Sequence, residues 1–87
     1  MNYSLEISDQ LDRKLSKLSK KNPKQIEIID KKAKEICNNP HHYKPLRGDM
    51  KGARRVHIES SFVLTFEIIE ETKTVRLLDY DHHDKIY

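Results

Sequence analysis

The residues best suited to chemistry lie in the run Arg54–Glu59. In an extended strand the side chains alternate, so Arg55, His57 and Glu59 share one face and lie roughly 6.5–7 Å apart along it. An arginine can hold a phosphate through two hydrogen bonds, and an unperturbed imidazole titrates at about pH 6.5. Arg55 and His57 together could bind one phosphate and move a proton beside it. Arg54 points to the opposite face, where we expect a supporting role or a salt bridge at the core rim.

Basic residues are concentrated around this strand. Residues 44–57 contain five Lys or Arg against one acid, whereas residues 58–81 contain six acids against two basic residues. This asymmetry favours an anionic partner that meets one side of the protein, with solvated loop charges as the alternative. The five basic residues are Lys44, Arg47, Lys51, Arg54 and Arg55.

The periodicity of the apolar residues predicts an α+β fold that positions this strand. Tyr3–Ile7 alternates and predicts a first strand, and Ser8 or Asp9 then caps a helix. A second helix is predicted from about Pro23 to Asn38, which gives a helical hairpin. Three apolar runs within Arg54–Tyr87 predict a three-stranded antiparallel meander. The helices must bury their apolar stripes against one face of a sheet, which the first strand and the meander supply.

Length and composition predict a cytoplasmic protein with a single domain that spans residues 1–87. The chain has 87 residues, a net charge of +3 and a single cysteine. That cysteine, Cys37, excludes an internal disulfide, and its position on the apolar face of a predicted helix favours a packed thiol over a nucleophile. No apolar run approaches the roughly 18 residues of a membrane span, and the N-terminus lacks the apolar core of a signal peptide.

Two histidine pairs raise the question of a metal site. They are His41-His42 and His82-His83. Adjacent residues of a strand face opposite ways, and no cysteine or carboxylate completes a recognisable ligand spacing around either pair. We therefore expect neither a metal ion nor another cofactor.

Four short motifs follow one another along the second half of the chain: Leu46–Gly48, Gly52–His57, Phe62–Phe66 and His82–Tyr87. Together they resemble the RelE/ParE superfamily of toxins from bacterial and archaeal toxin–antitoxin pairs. The order strand, helix, helix, strands is also that of the superfamily, so the resemblance covers essentially the whole chain. It implies a RelE-like fold and, for most RelE-like and YafQ-like members, ribosome-dependent cleavage of mRNA.

The resemblance also implies a site. His57 falls where the YafQ branch has a catalytic histidine, His83 matches its second histidine, and Tyr87 matches its aromatic end. One imidazole would take the proton of a ribose 2′-hydroxyl and the other would protonate the leaving 5′-oxygen, while Arg55 stabilises the charge on phosphorus. Tyr87 would stack on a base or orient the phosphate. The residues expected to hold the RNA backbone by charge are Lys44, Arg47, Lys51 and Arg54.

The sequence departs from the superfamily pattern at three places. The usual arginine of the second strand is Val63, the arginine of the C-terminal His-Arg pair is His83, and the Asp-Trp of the YafQ branch is Ser61-Phe62. The first departure weakens a strictly RelE-like site. It leaves two alternatives open, which are a ParE-like inhibitor of DNA gyrase and a non-catalytic module that binds RNA.

A toxin of this kind implies two partners, which are mRNA on the ribosome and a RelB-like antitoxin. Antitoxins usually lay an amphipathic helix or an extended segment across the toxin. We expect Ile28, Val63 and Ile69 to lie off the core stripes, and exposed apolar residues there would indicate a partner surface.

Overall fold

The computed structural model describes residues 3–45 and 52–82 of the chain. In these ranges, two helices pack on one face of a four-stranded sheet, which confirms the predicted α+β class and order of elements. The elements in chain order are β1 (Ser4–Ile7), α1 (Asp9–Lys21), α2 (Pro23–Asn38), β2 (Ala53–Ile58), β3 (Phe62–Ile69) and β4 (Thr74–His82).

The sheet is mixed, with the strand order β1-β4-β3-β2. The strands β2, β3 and β4 form the predicted antiparallel meander, and β1 lies parallel to β4 at the far edge. A bulge between Thr65 and Phe66 shifts the register of β3 against β4. This order places β2, the strand with the candidate chemistry, at the opposite edge from β1.

Each helix begins at a capping side chain. The Ser8 hydroxyl accepts from the backbone N–H of Leu11 at 3.2 Å and donates to the carbonyl of Leu78 at 2.8 Å, so the start of α1 is attached to β4. Asn22 caps α2 by accepting from the N–H of Gln25 at 3.3 Å. Neither described helix is long and apolar enough to cross a membrane.

The core lies between the helices and the sheet. Val56 and Ile58 of β2 face this core, whereas His57 between them is exposed, as alternation predicts. The core cluster also takes residues from both helices and from β3 and β4. Its fully buried members include Leu11, Ile36, Leu64, Phe66 and Val75.

A polar cluster ties the chain that follows α2 to the turn between β3 and β4. One carboxylate oxygen of Glu70 lies 2.7 Å from Nε2 of His41 and accepts from the Tyr3 hydroxyl at 3.1 Å. The other accepts from Nζ of Lys73 at 3.1 Å. Because His41 precedes the connection to β2, the cluster fixes where that connection starts.

Replacing Ser8 with alanine removes both the cap of α1 and the bond to β4. We expect Ser8→Ala to lower the free energy of unfolding by about 1–2 kcal/mol, measured by urea denaturation. Ser19→Ala is the matched control because the Ser19 hydroxyl is exposed and bonds only to the carbonyl of Ser16, one turn earlier. The control should stay within about 0.5 kcal/mol of the parent protein. Equal losses of stability in Ser8→Ala and Ser19→Ala would contradict the conclusion that Ser8 attaches α1 to β4.

The Glu70 cluster makes stability depend on pH in a defined direction. The hydrogen bond from Lys73 lowers the pKa of Glu70, and the contacts with His41 and Tyr3 add to it against an opposing effect of desolvation. Because its pKa is lower in the folded state, ionised Glu70 stabilises the fold at pH values above its unfolded pKa of about 4.3. This contribution is lost as the pH falls through the folded pKa. Glu70→Gln should therefore be less stable than the parent protein at pH 7 and equal to it at strongly acidic pH. The control is Glu71→Gln, and a difference that persists in acid would contradict the prediction.

Candidate functional site

The face of the sheet opposite the helices carries His57. His57 of β2 lies directly across from Val63 of β3, which in turn lies across from Asp81 of β4. Side chains of directly opposed residues share a face, so these three form one row across the sheet. His57 is exposed in this row, whereas Val63 is fully buried.

Lys44 and Arg55 lie opposite each other at the edge of the same face. The backbone N–H of Arg55 donates to the carbonyl of Lys44 at 3.2 Å, and Pro45 forms an antiparallel bridge with Arg54. In this register the side chains of Lys44 and Arg55 start on one face, two residues along β2 from His57. The long connection therefore brings one of its predicted lysines to the strand with Arg55 and His57.

A groove of about 380 Å³ runs along this edge. It contains two of the cations and the imidazole that the sequence singles out for the site, together with two rings that the sequence did not place there. The cations can hold a phosphate, and the imidazole beside them can take up or give a proton next to that phosphate. The residues that line the groove are His42, Tyr43, Lys44, Arg55, Val56 and His57.

The two unexpected rings hold the wall of the groove. The rings of His42 and Tyr43 meet edge to face at 5.2 Å, and Tyr43 meets Phe66 of the core at 5.8 Å. Tyr43 is half-buried, so it anchors the connection to the core while it lines the groove. A tyrosine directly before Lys44 was the available signal, but nothing in the local sequence ties it to Phe66.

Arg54 supports this wall from the helix side of the sheet. Its guanidinium Nη1 donates to the carbonyl of Tyr43 at 2.6 Å, and the residue is half-buried. The contact satisfies a backbone carbonyl and holds the connection against β2. Phosphate binding by Arg54 stays a prediction.

The far border of the open face is acidic, and a lysine of α1 offsets part of its charge. Nζ of Lys14 lies 2.7 Å from a carboxylate oxygen of Asp79 and 3.1 Å from one of Asp81. Desolvation lowers the pKa of Lys14, but its hydrogen bonds to the two carboxylates outweigh this effect, so the pKa is raised and the amine stays charged. The two aspartates therefore repel an anion on this face less than the sequence alone suggests.

Two expectations about the surface are wrong. Val63 is fully buried, while Ile28 and Ile69 are half-buried and Ile28 packs against the core, so these three residues do not form an exposed apolar patch. Glu59 does not extend the face of Arg55 and His57, because β2 ends at Ile58. Glu59 lies in the turn to β3 with a φ of 56°, the left-handed value that reverses the chain there.

The structure brings together about half of the predicted site. Lys44, Arg55 and His57 share one groove, and Arg54 supports its wall. The remaining predicted site residues lie outside the described residues. They are Arg47, Lys51, His83 and Tyr87.

One histidine of each adjacent pair contacts another side chain within the described ranges. His41 contacts Glu70, and the ring of His82 lies edge-on to Phe62 at 5.7 Å. Within residues 3–45 and 52–82, no three His, Cys, Asp or Glu side chains come together in a way that could hold a metal ion.

Sequence comparison identifies the family. The model of the ParE toxin of the type II toxin-antitoxin system, parDE, matches residues 5–87. A putative toxin RelE4 of Methanocaldococcus jannaschii is 52% identical over 85 residues, which is 98% of this chain and 90% of that protein. An uncharacterized protein of Methanosarcina mazei is 58% identical over 85 residues, which is 98% of this chain and 99% of the relative.

Solved structures share the fold. One chain of the toxin-antitoxin complex RelBE2 from Mycobacterium tuberculosis superposes on this protein with a TM-score of 0.80 and 25% sequence identity. The match covers 94% of this chain and 99% of that chain. YafQ of Escherichia coli has the same fold, with a TM-score of 0.75, 23% identity and 98% of both chains covered. The family match over residues 5–87, the identity to RelE4 and the shared fold show that this chain belongs to the RelE/ParE superfamily, as a toxin of a type II toxin–antitoxin system.

Proposed function

We propose that this toxin is an endoribonuclease that cleaves mRNA on the ribosome without a metal ion and so inhibits translation. The observation that carries the proposal is the groove in which Lys44, Arg55 and His57 meet on the open face of the sheet. A phosphodiester held there by two cations would lie beside the imidazole, which is what attack by a ribose 2′-hydroxyl requires.

The reaction needs a base, charge stabilisation and an acid. His57 takes the proton of the 2′-hydroxyl, the 2′-oxygen bonds to phosphorus, and the bond from phosphorus to the 5′-oxygen breaks. Arg55 stabilises the charge that develops on the phosphoryl oxygens. By the resemblance to YafQ-like members, His83 protonates the leaving 5′-oxygen and Tyr87 orients the phosphate or stacks on a base. The products are a 2′,3′-cyclic phosphate and a 5′-hydroxyl.

The partner of the toxin in the cell is, in this proposal, a RelB-like antitoxin. One support is the similarity to a chain of the RelBE2 toxin-antitoxin complex. The other is the chemistry itself, since a nuclease that acts on mRNA in the cytoplasm must be kept covered. We further propose that the whole chain acts as one toxin domain.

A second candidate is inhibition of DNA gyrase without nuclease chemistry. Two observations favour it. The matching family is that of the ParE toxin, and the usual second-strand arginine is replaced by Val63, which is fully buried beside His57. Titration of the supercoiling activity of gyrase with this protein tests it directly.

Primer extension on a reporter mRNA in a translating extract tests the nuclease proposal. Cuts should appear only when ribosomes translate the message, and His57→Ala should slow them by about 10²–10⁴-fold because the base is lost. The control is Lys20→Ala, which changes an exposed side chain near the end of α1, outside the groove, and should cut at the parental rate. Intact mRNA together with inhibited supercoiling would instead favour the gyrase candidate.

The two cations of the groove should contribute differently. Arg55→Ala should reduce the cleavage rate by about 10²–10³-fold, and Arg55→Lys should recover only part of it because an ammonium cannot form the two-pronged contact with phosphate. Lys44→Ala should weaken binding of the mRNA and should have a smaller effect than Arg55→Ala. This effect should fade as salt is added, because a lysine on the groove wall acts as a point charge. Single-turnover rates on programmed ribosomes at several salt concentrations measure both. Equal recovery by Arg55→Lys would argue against direct contact of Arg55 with the scissile phosphate.

A further inference from the structure

A second groove, of about 360 Å³, meets the first at His57. It runs between α2 and the end of β2, and its volume lies within the roughly 300–1,000 Å³ that is usual for sites of small ligands. His57 lines both grooves, so a strand of RNA that crosses His57 from the first groove can continue into the second. Besides His57, its lining includes Ile28, Lys31, Lys32, Glu35 and Glu59.

Four charged side chains line the second groove, and two of them form a salt bridge with each other. Nζ of Lys32 lies 3.2 Å from a carboxylate oxygen of Glu35, so these two charges balance each other. Lys31 and Glu59 take part in no salt bridge among residues 3–45 and 52–82. The groove therefore offers a ligand one uncompensated cation, one uncompensated carboxylate and the half-buried apolar side chain of Ile28.

A nucleotide has the matching set of groups. Its phosphate suits an ammonium, the flat faces of its base suit an aliphatic side chain, and the edge of its base can donate hydrogen bonds to a carboxylate. Among the bases, guanine presents two adjacent donors, N1–H and N2–H, to the two oxygens of one carboxylate, whereas uracil presents one donor between two acceptors. A carboxylate in the groove thus favours guanine over uracil.

We propose that the second groove holds the nucleotide next to the scissile phosphate, with Lys31 on its phosphate and Glu59 on the edge of its base, and that it prefers guanine. This inference rests on the proposed function, since it takes the strand at His57 to be RNA. Glu59 is well placed to select a base because it sits in the tight turn that ends β2, next but one to His57. Selection would then be set by a residue that neither holds the scissile phosphate nor moves a proton.

Binding of short RNA to the full chain tests this assignment without requiring cleavage. The probes are a fluorescent uridine heptamer and the same heptamer with one central guanosine, both with 2′-fluoro groups that prevent attack by a 2′-hydroxyl. The parent protein should bind the guanosine heptamer at least about fivefold more tightly. Glu59→Gln should bring the two affinities to within about twofold, because an amide offers one acceptor oxygen where the carboxylate offered two. Lys31→Ala should weaken both heptamers by the same factor and reduce the slope of log affinity against log salt by about 0.7.

The matched controls are Glu27→Gln and Lys34→Ala, which make the same charge changes on α2 outside the groove and should leave both affinities and the guanosine preference unchanged. Three results would overturn the assignment: no binding of either heptamer, equal affinity of the parent protein for both, or groove variants that behave like their controls. Groove variants that weaken binding of the antitoxin and leave RNA binding unchanged would assign the groove to a protein partner instead. If mRNA stays intact on ribosomes while the guanosine preference follows Glu59, the nuclease proposal fails and the groove is a guanine-binding site without a scissile phosphate beside it.

Discussion

The structure depends on the alternation of β2 against the core that lies beneath the helices. Val56 and Ile58 are buried under the helices, and His57 between them is exposed. A shift of one residue in the pairing of β2 would expose both apolar side chains and bury the imidazole. Removing these two side chains from the core would by itself lower the free energy of unfolding by about 3–6 kcal/mol. That is a large part of the roughly 5–15 kcal/mol of a typical domain. The position of His57 is therefore set by core packing that His57 itself takes no part in.

The same constraint explains why the connection before β2 matters to the site. Because β2 is an edge strand, its outer backbone groups are available, and the Lys44 carbonyl takes one of them. Arg54 on the core side then holds the next part of the wall through the carbonyl of Tyr43. Neighbouring arginines thus have opposite tasks, since one fixes the groove from behind and the other faces into it. The period of two along a strand makes that division unavoidable.

Electrostatics on the open face are set by partners far apart in the chain. Lys14 of α1 reaches Asp79 and Asp81 of β4, so a helix residue offsets part of the charge at the acidic border. A face with a basic edge and a partly compensated acidic border suits an anionic ligand that approaches from the β2 side. The buried Val63 between the two borders adds no charge of its own.

The sequence by itself determined the elements, their order and the faces of β2, because periods of two and near four depend only on neighbouring residues. It also indicated Lys44, Arg55 and His57 as candidates, through their types and through resemblance to a toxin family. Only the tertiary structure decided that Val63 is buried, that Tyr43 joins the groove wall through Phe66, and that Lys14 pairs with Asp79 and Asp81. It alone also brought α2 to the end of β2, so that two grooves meet at His57. These contacts join residues that are many positions apart, and no local pattern in the chain encodes which distant side chains the packing of helices on the sheet will bring together.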